Sequence, residues 1–207
     1  MYVPAAFAEH RPAELSRLIR EHPFGMLVTH GQAGLDVNHL PFHLEPHDGE
    51  FGTLHAHVAR ANPVWHASPG NPVLVVFQGP QAYVSPNGYP SKRESHRHVP
   101  TWNYQVVHAQ GELTVRDDAR FVRRVVARLT HTHESAEPRP WRMGDAPPDY
   151  IDEMLQHIVG LEIRITSLVG KAKLGQNREP RDLLGAADAL QAGGHAALAQ
   201  AMREAGA

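Results

Sequence analysis

The sequence contains no cysteine among its 207 residues. A disulfide framework, a thiolate metal site and a cysteine nucleophile are therefore excluded. It also lacks any run of roughly 18 uncharged apolar residues, which a membrane-spanning helix needs. Its first residues have no basic start followed by an apolar core of signal-peptide length. These absences predict a cytoplasmic protein that is neither exported nor bound to a membrane.

An excess of positive charge is also absent. The chain has 20 Lys and Arg residues against 22 Asp and Glu residues, which gives a formal net charge of -2. Nonspecific affinity for nucleic acid rests mainly on a positive field, and no helix-turn-helix pattern can be recognised. The sequence therefore argues against autonomous DNA binding, and leaves direct binding through a local patch open.

Histidine, by contrast, is abundant, with 16 residues. His55 and His57 lie two positions apart, and on a strand this spacing directs both rings to one face. A protein metal site needs further ligands, and no recognised spacing marks a third one. We therefore predict no metal site and interpret the histidines as scattered surface and core residues.

Short strands dominate the predicted secondary structure. Apolar alternation between turn residues predicts strands over residues 24–30, 35–44, 51–58, 71–78, 82–85, 102–115 and 160–169. The connection over residues 31–34 has the length and glycine content of a hairpin. Several short strands joined in this way predict a mainly β fold with flanking helices, built on an antiparallel barrel.

Helical spacing of apolar residues appears between and after these strands. It predicts helices over residues 12–22, 63–67, 117–131, 150–158, 181–191 and 195–204. The last two lie in an Ala-rich segment, and isolated helices of this length are marginal in water. We therefore predict one main domain over residues 1–170. A helical tail over residues 171–207 is predicted to pack on the barrel or on a dimer partner.

The segment from Gln78 to Gly111 combines aromatic, turn-forming and basic residues. Long irregular segments in a compact domain are usually functional or disordered, and the aromatic content argues against disorder. The side chains that distinguish it are Tyr83, Tyr89, Lys92, Arg93, Arg97, Trp102 and Tyr104. The composition predicts a ligand-holding loop. The alternative is a loop that its aromatic side chains anchor to the core.

A second candidate site lies at the sequence Arg60-Ala-Asn-Pro63. Asn62 suits the cap of a short helix, and Pro63 suits its first turn, where no backbone donor is needed. Exposed amides at a helix start favour an anion, and Arg60 stands just before them. The pattern predicts an anion site at Arg60. The alternative is an ordinary capped helix with a solvated arginine.

Six sequence blocks, in order, resemble one protein family. They are MYVPAAFA (1–8), NHLPFHL (38–44), GTLHAHVARANP (52–63), VVFQGPQAYVSPNGY (75–89), VPTWNYQVVHAQG (99–111) and GKAKLGQN (170–177). Together they resemble the PaiB-like FMN-binding negative transcriptional regulators. The resemblance implies a split barrel of the flavin reductase and pyridoxamine-phosphate oxidase type. It also implies FMN as the cofactor and a homodimer with FMN at the subunit interface.

The resemblance further implies residues for the flavin ring and its phosphate. Asn38, His39, Leu40 and Pro41 would border the ring, with backbone groups meeting its polar edge. The phosphate would be held by His57, Arg60 and Asn62, in agreement with the anion site argued above. The alternative for His57 is a hydrogen-bonded core residue.

Further contacts are implied from the later blocks. Tyr83, Trp102 and Asn103 would contact the flavin edge or come from the partner subunit, and Lys171 would reach phosphate or lie on the dimer surface. Trp102 as a core anchor is the alternative. The family frequently has serine where this chain has Gly175, so a hydroxyl contact is absent at that position.

Three functions remain open from the sequence. The first is an FMN-binding regulator or sensor. The second is a flavin-dependent oxidoreductase of the NAD(P)H:FMN reductase type, in which FMN carries the hydride chemistry. The third is a haem-handling split barrel, which the many histidines suggest. No general base or nucleophile can be recognised, so catalytic residues are not assigned.

Overall fold

The computed structural model describes residues 1–31, 34–67 and 70–206. Its strands are β1 Ala8–Glu9, β2 Phe24–Gly31, β3 Gly34–Pro41, β4 His43–Glu45, β5 Thr53–Ala59, β6 Pro72–Val84, β7 Thr101–Arg116 and β8 Ile158–Lys173. Its α-helices are α1 Pro12–Glu21, α2 Val64–Ala67, α3 Lys92–Ser95, α4 Ala119–Glu134, α5 Pro148–Gln156, α6 Pro180–Ala192 and α7 Ala196–Ala205. None of the helices in these described ranges is long and apolar enough to cross a membrane.

The strands form a sheet in the order β3-β2-β6-β7-β8-β5-β4, and β1 pairs separately with β8. The β2–β3 pair is antiparallel from Gly31 opposite Gly34 to Phe24 opposite Pro41. The turn predicted there includes residues 32 and 33, which lie outside the described residues. β5 pairs antiparallel with both β4 and β8. The prediction of a mainly antiparallel β fold with flanking helices is confirmed.

The structure corrects two predicted strand divisions. Residues 71–78 and 82–85 belong to one continuous strand, β6. The predicted break over residues 79–81 was wrong. The missing side chain of Gly79 permits close packing within the strand, since a Cβ there would lie 3.2 Å from the Cβ of Gln105. The single strand predicted over residues 35–44 is divided at Phe42, whose N–H donates to the carbonyl of Pro23 at 2.9 Å.

The chain divides into two compact units, each assembled from separate stretches. The first unit comprises residues 1–18, 78–107 and 169–207, and the second comprises residues 19–77 and 108–168. The predicted boundary between residues 170 and 171 stays a prediction.

In the first unit, the C-terminal helices share a core with the ends of the long strands. α6 and α7 bury apolar side chains against strand and loop residues. This core consists of Ala82, Val84, Tyr89, Ala172, Leu174, Leu183, Ala186, Ala187, Leu190, Leu198, Ala199 and Met202. Short helices of this kind are stabilised by packing of their apolar face rather than by intrinsic propensity.

In the second unit, α4 buries apolar side chains at helical spacing. Phe121, Val125 and Leu129 form one cluster. Val122 faces α5, where Ile151 and Leu155 complete a second cluster. Each large apolar side chain buried in this way contributes about 1.5–3 kcal/mol to folding. The helix is capped by Asp118, whose carboxylate accepts from the N–H of Phe121 at 2.7 Å.

Candidate functional site

Three side chains of the second unit form a hydrogen-bonded chain, which we call the amide cluster: Asp36, Asn38 and Asn62. Nδ2 of Asn62 donates to Oδ1 of Asn38 at 2.7 Å, and Nδ2 of Asn38 donates to Asp36 at 2.9 Å. Oδ1 of Asn62 accepts from the N–H of Val64 at 2.9 Å, so the predicted capping role of Asn62 is observed. The structure thus brings together the predicted site residues Asn38 and Asn62.

The remaining predicted residues of β3 lie along the terminal strand of the sheet order. His39 is exposed, and its ring centroid lies 6.2 Å from that of Phe24. Leu40 and Pro41 are half-buried. On its outer side, β3 has no pairing partner among the described strands, so alternate backbone N–H and C=O groups face outward there. This edge offers donors and acceptors, except at Pro41, which has no N–H.

His57 on β5 carries an unsatisfied polar atom. Its Nδ1 is buried without a hydrogen-bond partner among the described residues. Burial lowers the pKa of His57, so the ring is neutral at pH 7. A buried polar atom without a partner costs about 1–3 kcal/mol, and a ligand group that supplies the partner recovers that cost.

Arg60 is engaged by protein groups rather than standing free. Its guanidinium donates to both carboxylate oxygens of Asp117, at 2.7 and 2.9 Å. It also donates to the backbone carbonyls of Gln156 at 2.7 Å and Ile158 at 3.2 Å. The hydrogen bond from Arg60 lowers the pKa of Asp117. Among the described residues, no hydrogen bond joins this guanidinium to the amide cluster or to His57.

The assignment of Arg60 to the FMN phosphate therefore stays a prediction. A phosphate would have to share the guanidinium with Asp117 or replace it. Sequence reasoning missed Asp117 as a partner, because residues 117–131 were predicted only as a helix. Asp117 lies 57 positions after Arg60, and no local pattern links the two residues.

In the first unit, two predicted residues form an exposed aromatic pair. Tyr83 is 51% and Trp102 is 54% exposed, and their ring centroids lie 6.4 Å apart in an edge-to-face arrangement. Such exposed rings offer flat apolar surface for an aromatic ligand. Side chains this exposed do not serve as core anchors.

Lys171 and Asn103, also of the first unit, have protein partners. Nζ of Lys171 lies 5.4 Å from the ring centroid of Tyr104 and donates to the carbonyl of Tyr2 at 3.1 Å. Asn103 is 2% exposed, and its Nδ2 lies 3.4 Å from Sδ of Met202. Strand alternation on β7 directs Asn103 to the face opposite Trp102. The flavin contacts assigned to both residues stay predictions.

A buried network that sequence reasoning missed holds the loop between β6 and β7. We call Ser91, His98 and Asp182 the loop network. Oγ of Ser91 donates to Asp182 Oδ2 at 2.5 Å, and the N–H of Ser91 donates to Oδ1 at 3.0 Å. Nε2 of His98 lies 2.9 Å from Oγ of Ser91. Burial alone would raise the pKa of Asp182. The hydrogen bonds from Ser91 act in the opposite direction, and the pKa lies below its usual value.

Glycine allows the same loop to approach α6 closely. A Cβ on Gly185 would lie 2.4 Å from the carbonyl oxygen of Gly88. Glycine is also required at position 175, where φ is +93°. The departure from serine there thus has a backbone reason.

The second unit offers polar groups of the kind that the polar edge of a flavin ring binds. The amide cluster and the outer edge of β3 supply donors and acceptors, and Nδ1 of His57 lacks a partner. Within the described ranges, no group of three or more His, Asp or Glu side chains is arranged to hold a metal ion.

Two solved structures share the fold. The flavocytochrome Anf3 from Azotobacter vinelandii matches with a TM-score of 0.59 and 11% identity, over 82% of this chain and 70% of that chain. The FAD and haem binding protein from Mycobacterium smegmatis matches with a TM-score of 0.57 and 17% identity, over 81% and 74%. At these identities the likeness shows the fold alone. The predicted split-barrel fold class is confirmed.

Relatives in sequence cover nearly the whole chain. The protease synthase and sporulation protein PAI 2 of Bacillus subtilis is 31% identical over 192 residues, 92% of this chain and 89% of that protein. An uncharacterised protein of Emericella nidulans is 33% identical over 212 residues, 85% of this chain and 84% of that protein. Residues 1–167 match the family model described as "Putative FMN-binding domain". The predicted resemblance and its cofactor, FMN, are thereby confirmed, and the chain belongs to this family of FMN-binding domains.

Proposed function

We propose that the protein is a flavin-linked regulator or sensor that works as a homodimer with FMN at the subunit interface. The observation that carries the proposal is the unsatisfied Nδ1 of His57 in a chain of the FMN-binding family. A buried nitrogen without a partner is destabilising unless a ligand or water satisfies it.

In this proposal, the polar edge of the flavin ring meets the backbone groups of residues 38–41. Asn62 orients Asn38 through their hydrogen bond, and neutral His57 supplies a donor or acceptor from its ring. Arg60 holds the phosphate through the guanidinium N–H groups that otherwise donate to Asp117. Tyr83, Trp102, Asn103 and Lys171 stay predicted FMN contacts. Bound FMN would supply reversible electron transfer, and the protein would supply binding and orientation.

The regulatory part of the proposal is supported by the resemblance to the PaiB-like regulators and by the Bacillus subtilis relative, which is named a protease synthase and sporulation protein. An indirect effect fits this chain better than DNA readout. The formal net charge of -2 provides no overall positive field for the phosphates of DNA.

The dimer is supported by apolar side chains exposed on the β2–β3 hairpin. Phe24 is 66%, Leu35 is 75% and Val37 is 47% exposed. The antiparallel register pairs Val28 with Val37 and Phe24 with Pro41, so these side chains share one face of the hairpin. Clustered exposed apolar residues mark interaction surfaces, and a second copy of the chain would cover this face.

Titration with FMN and with riboflavin tests the site, because riboflavin lacks the phosphate. We expect Asn38→Ala to weaken both ligands. Arg60→Ala should weaken FMN by roughly tenfold and riboflavin little, as expected for the loss of a charge-assisted contact. Arg20→Ala, an exposed arginine on α1, is the matched control. Unchanged FMN affinity in both site variants would contradict the assignment.

Two further measurements separate the functional alternatives. Oxidation of NADH or NADPH by the FMN-loaded protein would indicate a reductase, and no turnover is expected of a sensor. The visible spectrum of the purified protein should show flavin bands, whereas a Soret band would indicate haem. A gel-shift assay at stated salt tests direct repression, and a sequence-specific shift would contradict the indirect effect.

A further inference from the structure

A concave groove lies between α4 and α5 in the second unit, next to Arg60. Its walls come from the first turns of α4 and the last turns of α5. Its volume is about 690 Å³, which is within the range of small-molecule sites. The groove contains none of the amide cluster and does not include His57.

Arginine is concentrated on the walls of this groove. Arg60, Arg120 and Arg123 line it, together with the carboxylates of Asp117 and Asp152. Arg60 is paired with Asp117, and Arg123 is paired with Asp152. The three guanidinium groups and two carboxylates give the groove one excess positive charge.

The excess charge can be assigned to Arg120. This residue is exposed on α4 and has no ion pair or side-chain hydrogen bond within the described ranges. Both of the other arginines already share a carboxylate. A single anionic group that enters the groove would therefore meet Arg120 without breaking an existing ion pair.

Apolar side chains also line the groove. Ala119 is exposed and Ile158 is half-buried, whereas Val122 and Leu155 are 2% and 9% exposed and offer little surface. An inorganic anion would leave this surface without a partner. A ligand with one negative charge and an apolar body would cover it and neutralise Arg120 at the same time.

We propose that the groove between α4 and α5 is a second ligand site, which binds a small organic monoanion with an apolar body. The carboxylate contacts Arg120, and the hydrocarbon lies on Ala119 and Ile158. The proposed contact goes beyond FMN binding, since Arg120 belongs to none of the predicted FMN contacts. The groove shares only Arg60 with those contacts.

Octanoate is a suitable probe, because it combines one carboxylate with a short apolar chain. In an NMR titration of the full-length chain, with and without FMN, we expect saturable shifts confined to residues 119–123 and 152–158. Binding should have a Kd on the order of 1 mM. Octylammonium has the same body with the opposite charge and should not bind. Inorganic phosphate should bind more weakly than octanoate.

Variants at Arg120 identify the contact. Arg120→Ala should weaken octanoate roughly fivefold, as expected for one exposed charge contact, while Arg120→Lys retains part of the affinity. Arg20→Ala should bind octanoate as the wild type does. FMN affinity should not change in Arg120→Ala. The octanoate titration therefore tests the groove even if the FMN assignments fail.

Three results would overturn the proposal. Equal binding of octanoate and octylammonium would mean apolar adsorption without charge recognition. Equal octanoate affinity in Arg120→Ala and wild type would remove the proposed contact. Displacement of FMN by octanoate would mean that the probe occupies the flavin site instead.

Discussion

Two carboxylates are held by hydrogen bonds in different surroundings. Asp117 in the second unit is paired with Arg60, and the two side chains are 45% and 41% exposed. Asp182 in the first unit is held by Ser91 and is 2% exposed. Exposed ion pairs contribute little to stability, whereas a buried carboxylate depends on its donors. The comparison separates side chains that can give up a protein partner for a ligand from side chains that hold the fold in place.

The largest expected effect lies on the buried side of this comparison. Asp182→Ala should lower the free energy of unfolding by about 3 kcal/mol, because the Ser91 Oγ and N–H lose their acceptor while still buried. Asp188→Ala on the same helix is the matched control, since Asp188 is 74% exposed and pairs with Arg203. Urea unfolding measures both. Equal losses in the two variants would contradict the contrast between the buried and the exposed carboxylates.

A smaller loss is expected from the contact between the loop and α6. Gly185→Ala should destabilise the protein by about 2 kcal/mol, because the new Cβ would overlap the carbonyl of Gly88 and force the backbone apart. Gly193→Ala is the control, because nothing lies closer than 3.4 Å to a Cβ there. A more stable Gly185→Ala protein would show that helix propensity outweighs the overlap.

Acid should destabilise the second unit through its buried histidines. Burial lowers the pKa of His57 and, with partial opposition from Glu162, that of His55. The unfolded chain therefore takes up protons first, and stability falls as the pH drops below about 6.5. Thermal unfolding at pH 7.5 and 5.5 measures this loss, which should be smaller in His57→Gln. An equal loss in the variant would show that His57 does not contribute.

The smallest stability effect is expected at the exposed pair. Arg60→Ala should unfold at nearly the same urea concentration as Arg20→Ala, because exposed pairs are screened by water and salt. Its effect should appear in FMN affinity instead. Strong destabilisation of the variant would show that the hydrogen bonds from Arg60 to the carbonyls of Gln156 and Ile158 stabilise the fold. It would contradict the contrast with Asp182.

Local pattern accounts for the parts of this structure that the sequence predicted. Apolar spacing within α4 and alternation along β7 are visible over a few neighbouring residues. The break predicted over residues 79–81 was wrong because Gly79-Pro80 suits both the end of a strand and a strand that packs closely on its neighbour. The partners of Arg60 and Ser91 lie 57 and 91 positions away, and no local pattern identifies such pairs. The capping role of Asn62 could be predicted, because the N–H that it accepts from belongs to Val64, only two residues away.

The position of Asp182 affects how a minimal version of this protein should be cut. The family match ends at residue 167, and a fragment with that endpoint would lack both Asp182 and Gly185. The loop over residues 85–100 would then lose its buried carboxylate and the helix on which it packs. A fragment with that endpoint would also cut β8 short, remove its pairing with β1 and lose the contacts that hold the loop over residues 85–100. The boundary of a useful expression fragment therefore lies beyond α6 rather than at the end of the recognised domain.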